Sequence, residues 1–184
     1  MNDPQDDDKA RTRLLDAAEE LFYAHGIRAV GMDRIRTASG VPLKRLYRLF
    51  PAKDVLVAAY LERRAARWTT SLRAAVAARP SDPLPAVFDW LAEWCSEPGF
   101  RGCGFLNAWG ELGSGPAGVL EVVRRHRAEL RSVLAGIVEP GSRSPELADQ
   151  LLILFEGATA VAALSPGPLP ARQAREMAEL LCRR

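Results

Sequence analysis

Nucleophile and metal-ligand chemistry are thinly represented in this 184-residue sequence. It has only two histidines, His25 and His126, and three irregularly spaced cysteines, Cys95, Cys103 and Cys182. An odd count at such spacing supplies neither a disulfide framework nor a zinc site. No nucleophile and base stand in a recognisable constellation, and no glycine-rich phosphate cradle is present, so the sequence argues against an enzyme and against a cofactor. Period-two alternation is missing too, as is any internal repeat, which leaves an all-α chain as the expectation. No apolar run reaches the roughly 18 residues needed to cross a bilayer. The opening MNDPQDDDK is acidic and polar, unlike a secretory signal, and the expected location is cytoplasmic.

What the chain does have is an uneven charge distribution. Its net charge is only +2. Between Lys9 and Lys53, however, ten basic residues face four acids, a local excess of six positive charges. Such a segment suits a phosphate-lined partner, or else forms a solvated charged face. The segment Gly26–Phe50, GIRAVGMDRIRTASGVPLKRLYRLF, favours the first reading. It reads as two short helices around an Ala38-Ser39-Gly40-Val41 turn, with Lys44, Arg45, Tyr47 and Arg48 outward and Leu46, Leu49 and Phe50 inward.

Periodicity and punctuation suggest about nine helices. The acidic stretch from Met1 to about Asp8 has nothing apolar to bury and is expected to be disordered. A first helix follows from about Lys9 to His25, stopped by Gly26. The second spans Met32–Ser39, with Ile35 and Ala38 inward. Gly40 supplies a left-handed turn, and Pro42 sits in the first turn of the third helix. A long helix covers about Lys53–Arg79, then others cover Leu84–Ser96, Cys103–Leu112, Pro116–Val138, Pro145–Leu164 and Ala171–Cys182. Pro140-Gly141-Ser142 reads as a loop. The domain boundary is expected near Pro51, giving a basic amino-terminal domain at 1–51 and a second domain at 52–184.

The first third of the chain resembles the tetracycline-repressor (TetR) family of bacterial transcriptional regulators. The residues that carry the resemblance are Leu14-Leu15-Asp16-Ala17-Ala18, Leu21-Phe22, Gly26, Ile35, Ala38, Gly40-Val41, Leu46-Tyr47-Arg48, Phe50, Lys53 and Leu56. The resemblance implies an amino-terminal helix-turn-helix domain, a helical ligand-sensing and dimerising domain, a DNA operator and a homodimer. It also implies phosphate contacts from Tyr47 and Lys53. Some family features are replaced. Val30-Gly31 stands where a hydroxyl residue usually caps the second helix, Ala52 where one caps the fourth, and Pro42-Leu43-Lys44-Arg45 in the variable part of the turn.

Lys44 and Arg45 occupy the amino-terminal end of the third helix, the part that meets base edges in a major groove. Arg45 is the stronger candidate to read guanine, because its planar fork matches O6 and N7 together. Tyr47, Arg48 and Lys53 fit phosphates. Arg28, Arg34 and Arg36 fit either a solvated face or backbone steering.

In the second half, Trp68, Trp90, Trp94 and Trp109 gather with Cys103, Asn107, Glu111 and His126 into an expected effector pocket of apolar walls and few polar groups. Each also fits a plain core position. Glu156, an acid in an apolar helix, needs a partner, either a structural cation or a ligand. Leu151, Leu154, Gly157, Ala158 and Val161 suit a two-fold helical interface. The functional expectation is a ligand-responsive repressor released from a pseudo-palindromic operator by a small, largely apolar inducer. The alternative is a thiol redox or electrophile sensor acting through Cys103, which lies between two glycines at a helix entrance.

Overall fold

The computed structural model describes residues 4–113, 115–138 and 144–183. Among these residues there are nine helices and no strand: α1 (Pro4–His25), α2 (Met32–Ser39), α3 (Leu43–Leu49), α4 (Lys53–Ala77), α5 (Pro83–Cys95), α6 (Gly104–Leu112), α7 (Ala117–Gly136), α8 (Ser144–Leu164) and α9 (Leu169–Cys182). The all-α expectation holds. The expected Pro140-Gly141-Ser142 loop and residues Met1 to Asp3 lie outside the described residues.

By backbone contacts the chain forms two units. One comprises Met1–Arg64 with Gly104–Arg124, the other Ala65–Cys103 with Arg125–Arg184. The division therefore falls inside α4, beyond the Pro51 boundary expected from sequence. The cause is packing: Leu56, Val57, Tyr60 and Leu61 are all buried, and the Tyr60 ring lies 5.9 Å from that of Phe22.

In the first unit, α1 buries Leu14, Ala18 and Phe22 at helical spacing. Each buried leucine or phenylalanine contributes about 1.5–3 kcal/mol. Gly26 (φ 87°) stops α1, its N–H donating to the Phe22 carbonyl at 2.9 Å. The other end corrects the sequence reading, because residues from Pro4 onward are helical rather than disordered. Asp6 and Asp7 lie in the first turn, where carboxylates complement the positive end of the helix dipole.

The α2 bounds match expectation, but the inward residues differ. Ile35 is fully buried, whereas Ala38 is exposed and Ser39 is buried in its place. The Ser39 hydroxyl donates to the Arg36 carbonyl at 3.1 Å and accepts the Val41 N–H at 3.3 Å. A helix ending in a tight turn buries the side chain that can satisfy turn amides, and alanine cannot. Gly40 takes the left-handed conformation (φ 62°), and the Arg13 guanidinium donates twice to the Ser39 carbonyl, at 2.9 and 2.5 Å. Pro42 precedes α3 as its N-cap rather than entering it, its carbonyl accepting the Arg45 and Leu46 N–H groups.

The second unit centres on α5, α8 and α9. Leu72, Val87, Phe88, Leu91, Leu134, Leu151 and Phe155 are almost wholly buried there. Ala158 and Ala162 of α8, with Ala171, Ala174 and Ala178 of α9, are buried small side chains that let helices approach closely. At the edge of this core Asp89 accepts both guanidinium nitrogens of Arg79 (2.9 and 2.8 Å) and one from Arg175 at 2.8 Å. By length and mean hydropathy (1.5), Pro145–Leu164 of α8 could cross a bilayer, contrary to the sequence expectation. Its packing against α5 and α9 buries one side of it, Leu151, Leu152, Phe155, Ala158 and Ala162 among them.

Candidate functional site

Anchoring and presentation are divided cleanly on α3. Leu46 and Phe50 are fully buried and fix the helix to the core of its unit. Lys44, Tyr47 and Arg48 are exposed, and Arg45 is half-buried. Leu43 and Tyr47 each keep 46% of their surface exposed. At the start of α2, Gly31 acts as N-cap with no side-chain hydrogen bond, so the first amides of α2 have no hydroxyl cap.

The arginines of α3 already have acidic neighbours. Arg48 Nη2 donates to Asp7 Oδ1 at 2.5 Å, Arg45 Nε lies 3.7 Å from the same oxygen, and Arg45 Nη2 lies 3.8 Å from Asp6 Oδ2. Sequence reasoning missed these contacts because it treated residues before Lys9 as disordered. The repeated aspartate in DDD, directly before an amphipathic helix, was the available signal. Arg36 is held locally by Asp33 at 2.7 Å, in keeping with a solvated face.

Lys53 is not simply presented outward. Its Nζ donates to the Arg28 carbonyl at 3.5 Å and sits 6.0 Å from the Phe22 ring centre. Partial burial pulls its pKa below the ordinary lysine value, while the nearby Glu111 carboxylate pulls it back up. Glu111 also departs from its expected pocket role. Its Oε1 accepts the Ile27 N–H at 3.0 Å and its Oε2 the Arg28 N–H at 2.8 Å, so α6 caps the bend between α1 and α2. A groove of about 300 Å³ runs beside α1 and α2, lined by Arg13, Asp16, Ala17, Glu20, Ala38 and Ser39. Its two acids make it a poor cradle for phosphate.

Four of the expected pocket residues come together in the second unit. Trp68 makes edge-to-face contacts with Trp90 (4.9 Å between centres), Trp94 (5.7 Å), His126 (4.8 Å) and Phe155 (5.9 Å). Trp90 and Trp94 stack at 5.7 Å. The Trp90 N–H donates to the Ser71 hydroxyl at 2.9 Å. Trp68 is only 8% exposed, and its buried Nε1–H has no acceptor among the described residues. The other expected pocket residues are placed differently. Asn107 and Trp109 are exposed on α6 in the first unit, Trp109 at 57%, and Cys103 is half-buried. Their helix turns its buried side, Phe105 and Ala108, to the core and leaves these two outside.

The expected interface on α8 also needs correction. Leu151 and Ala158 face the core of their own unit and are not available to a partner. Leu154 is half-buried, while Gly157 and Val161 are exposed. The exposed apolar face is Ile153 (68%), Gly157, Val161 (55%) and Leu164 (89%), spaced as one side of a helix. On α9, Leu169 (63%), Met177 (55%) and Leu180 (60%) add to the unit's exposed apolar surface. Glu156 finds a cation, with Arg127 Nε 3.9 Å away. Of the cysteines, Cys95 is fully buried, which pushes its thiol pKa up to about 11, and burial raises Cys182 as well. Neither offers the ready thiolate that would resolve an oxidised Cys103, so the redox alternative is not favoured.

A short basic helix held by buried apolar residues after a glycine turn, third in the chain, defines a helix-turn-helix protein of the DNA-binding class. Comparison with known proteins agrees. Residues 14–60 match the family described as bacterial regulatory proteins, tetR family. SCO4454, a TetR-family transcriptional regulator from Streptomyces coelicolor, is 35% identical in its crystal structure, with a TM-score of 0.81 covering 96% of this chain and 95% of that one. A TetR transcriptional regulator from Chloroflexus aurantiacus shares the fold at a TM-score of 0.79 and 22% identity, covering 95% of this chain and 94% of its own. The uncharacterized HTH-type transcriptional regulator Rv1255c of Mycobacterium tuberculosis is 40% identical over 58 residues, which span 32% of this chain and 29% of that protein's length. This chain belongs to the TetR family of transcriptional regulators.

Proposed function

We propose that the protein is a homodimeric, cytoplasmic repressor that reads a pseudo-palindromic operator through α3 and releases it when a small, largely apolar effector binds the second unit. The observation that carries this reading is the two-sidedness of α3, with Leu46 and Phe50 buried while Lys44, Arg45, Tyr47 and Arg48 form its outer side. In the proposed complex Arg45 reads guanine and Lys44 lies beside it at the groove floor. Tyr47, Arg48 and Lys53 hold phosphates, Lys53 after leaving the Arg28 carbonyl.

The effector half of the proposal rests on the Trp68, Trp90, Trp94 and His126 cluster. A buried indole N–H without an acceptor costs about 1–3 kcal/mol, which a ligand carrying a carbonyl or ether oxygen would return. An aromatic or aliphatic ligand with one such acceptor fits this cluster best. To act as an inducer it must bind more tightly to the state that does not hold DNA. The dimer would form on the exposed face of α8 that contains Ile153, Gly157, Val161 and Leu164, together with α9.

Operator selection from random duplex DNA tests the DNA half. The wild type should enrich a two-fold related sequence. Arg45→Ala should lose preference at one base pair of each half-site, a discrimination of about 1–3 kcal/mol. An unchanged sequence profile for Arg45→Ala would refute the assignment.

A further inference from the structure

The recognition helix carries a built-in competitor. Asp7 makes a hydrogen-bonded ion pair with Arg48 at 2.5 Å and lies 3.7 Å from Arg45, while Asp6 lies 3.8 Å from Arg45. These two arginines are among the α3 side chains assigned above to base and phosphate contact. An aspartate oxygen accepts from a guanidinium in the geometry that guanine O6 and N7 or a phosphate would use. Asp7 therefore occupies a donor of Arg48, and both acids oppose the charge of Arg45 from just beyond hydrogen-bond distance. They are well placed to do so, since the helix that carries them begins at Pro4 and both lie in its first turn. Asp7 is tucked in, with 27% of its side chain exposed, as is Arg45 with 30%.

We infer that Asp6 and Asp7 form an autoinhibitory acidic clasp on α3, one that competes with DNA for Arg45 and Arg48 and weakens binding to every sequence. This rests on the reading of α3 as the DNA-contacting helix. DNA must break the pairs before either arginine can neutralise a phosphate, and the freed carboxylates then face the phosphate backbone. Counterion release is reduced in the same way. An arginine already neutralised by aspartate contributes less to the number of phosphates the protein neutralises on binding, so the dependence of affinity on salt is shallower than the count of basic residues suggests. A purely structural role for these acids, as stabilisers of the first turn of α1, predicts the opposite response to their removal.

The test uses the full chain and a short fluorescent duplex of arbitrary sequence, with affinity measured by anisotropy from about 50 to about 200 mM salt. Four proteins are compared: wild type, Asp6→Asn/Asp7→Asn, Arg45→Gln/Arg48→Gln, and the combination of all four changes. A fifth, Asp82→Asn/Glu93→Gln, makes the same change in net charge at two exposed acids of the second unit. Neutralising the clasp should tighten binding by about 1.5- to fivefold, the range for one exposed ion pair. It should also steepen the slope of log affinity against log salt by about one to two. The tightening should shrink in the arginine-free background and be absent in the Asp82/Glu93 variant.

Unchanged or weaker binding by Asp6→Asn/Asp7→Asn overturns the clasp, as does equal tightening by the Asp82/Glu93 control. The arginine variant separates the two levels of inference. If it loses affinity while the aspartate variant gains none, the clasp alone is wrong. If it keeps full affinity and slope, the reading of α3 falls, and the clasp with it.

Discussion

Substituting Glu111 tests how the helix-turn-helix is held to the rest of its unit. Its carboxylate accepts the Ile27 N–H at 3.0 Å and the Arg28 N–H at 2.8 Å, just after the left-handed Gly26. Hydrogen bonds to a charged acceptor contribute about 1.5–3 kcal/mol each where they are shielded and less where water can replace the partner. The Ile27 bond is partly buried, so its amide loses most of that sum in Glu111→Ala, whereas the Arg28 amide is exposed and recovers much of its loss from solvent. The expected cost is about 2–3 kcal/mol in urea unfolding. Glu111→Gln, which retains one neutral acceptor, should lose about half as much. Hydrogen exchange should accelerate at Ile27 more than at Arg28. Lys53 should titrate still lower, since the carboxylate that opposes its desolvation is gone. Stability within about 0.5 kcal/mol of wild type, with Ile27 exchange unchanged, would refute this account of the bend.

Two further outcomes are expected. Val161→Glu, at a position 55% exposed, should shift the proposed dimer to monomer by about a hundredfold or more in sedimentation equilibrium, because two-fold symmetry puts an unpaired carboxylate in the interface from each copy. Asp149 accepts from Arg131 Nε at 2.5 Å and Nη2 at 3.2 Å, and this hydrogen bonding holds its pKa below the ordinary 3.8. Because the folded value is the lower one, the pair's contribution to stability is present above the unfolded pKa and lost as pH falls through the folded pKa. In Arg131→Gln the Asp149 midpoint, followed by NMR, should return toward 3.8, and an unmoved midpoint would contradict this cause.

Local signals made most helices legible. Gly26, Gly40 and the prolines mark ends that backbone conformation alone requires, and the α2 bounds come out as read. The outward set on α3 was legible because its anchors, Leu46 and Phe50, sit at helical spacing. What failed depended on partners distant in sequence. Asp6 and Asp7 looked like a solvated tail because Arg45 and Arg48 lie some forty residues on, as the Arg48–Asp7 separation of 41 shows. Glu111 looked like a pocket acid because the amides it caps lie 83 and 84 residues earlier. On α8 the sequence is apolar nearly all round, so it carries no phase to tell the inward Leu151 and Ala158 from the outward Ile153 and Leu164.

The first unit is discontinuous along the chain, taking residues to Arg64 and then Gly104–Arg124. During synthesis the helix-turn-helix leaves the ribosome well before Glu111 does, so the bend at Ile27 and Arg28 remains uncapped until α6 emerges. A protein cut after Arg64, or a chimera that grafts this segment onto a foreign sensor, would therefore inherit the reading head without its brace. An exchange of modules in this chain would have to carry α6 along with the helices it supports.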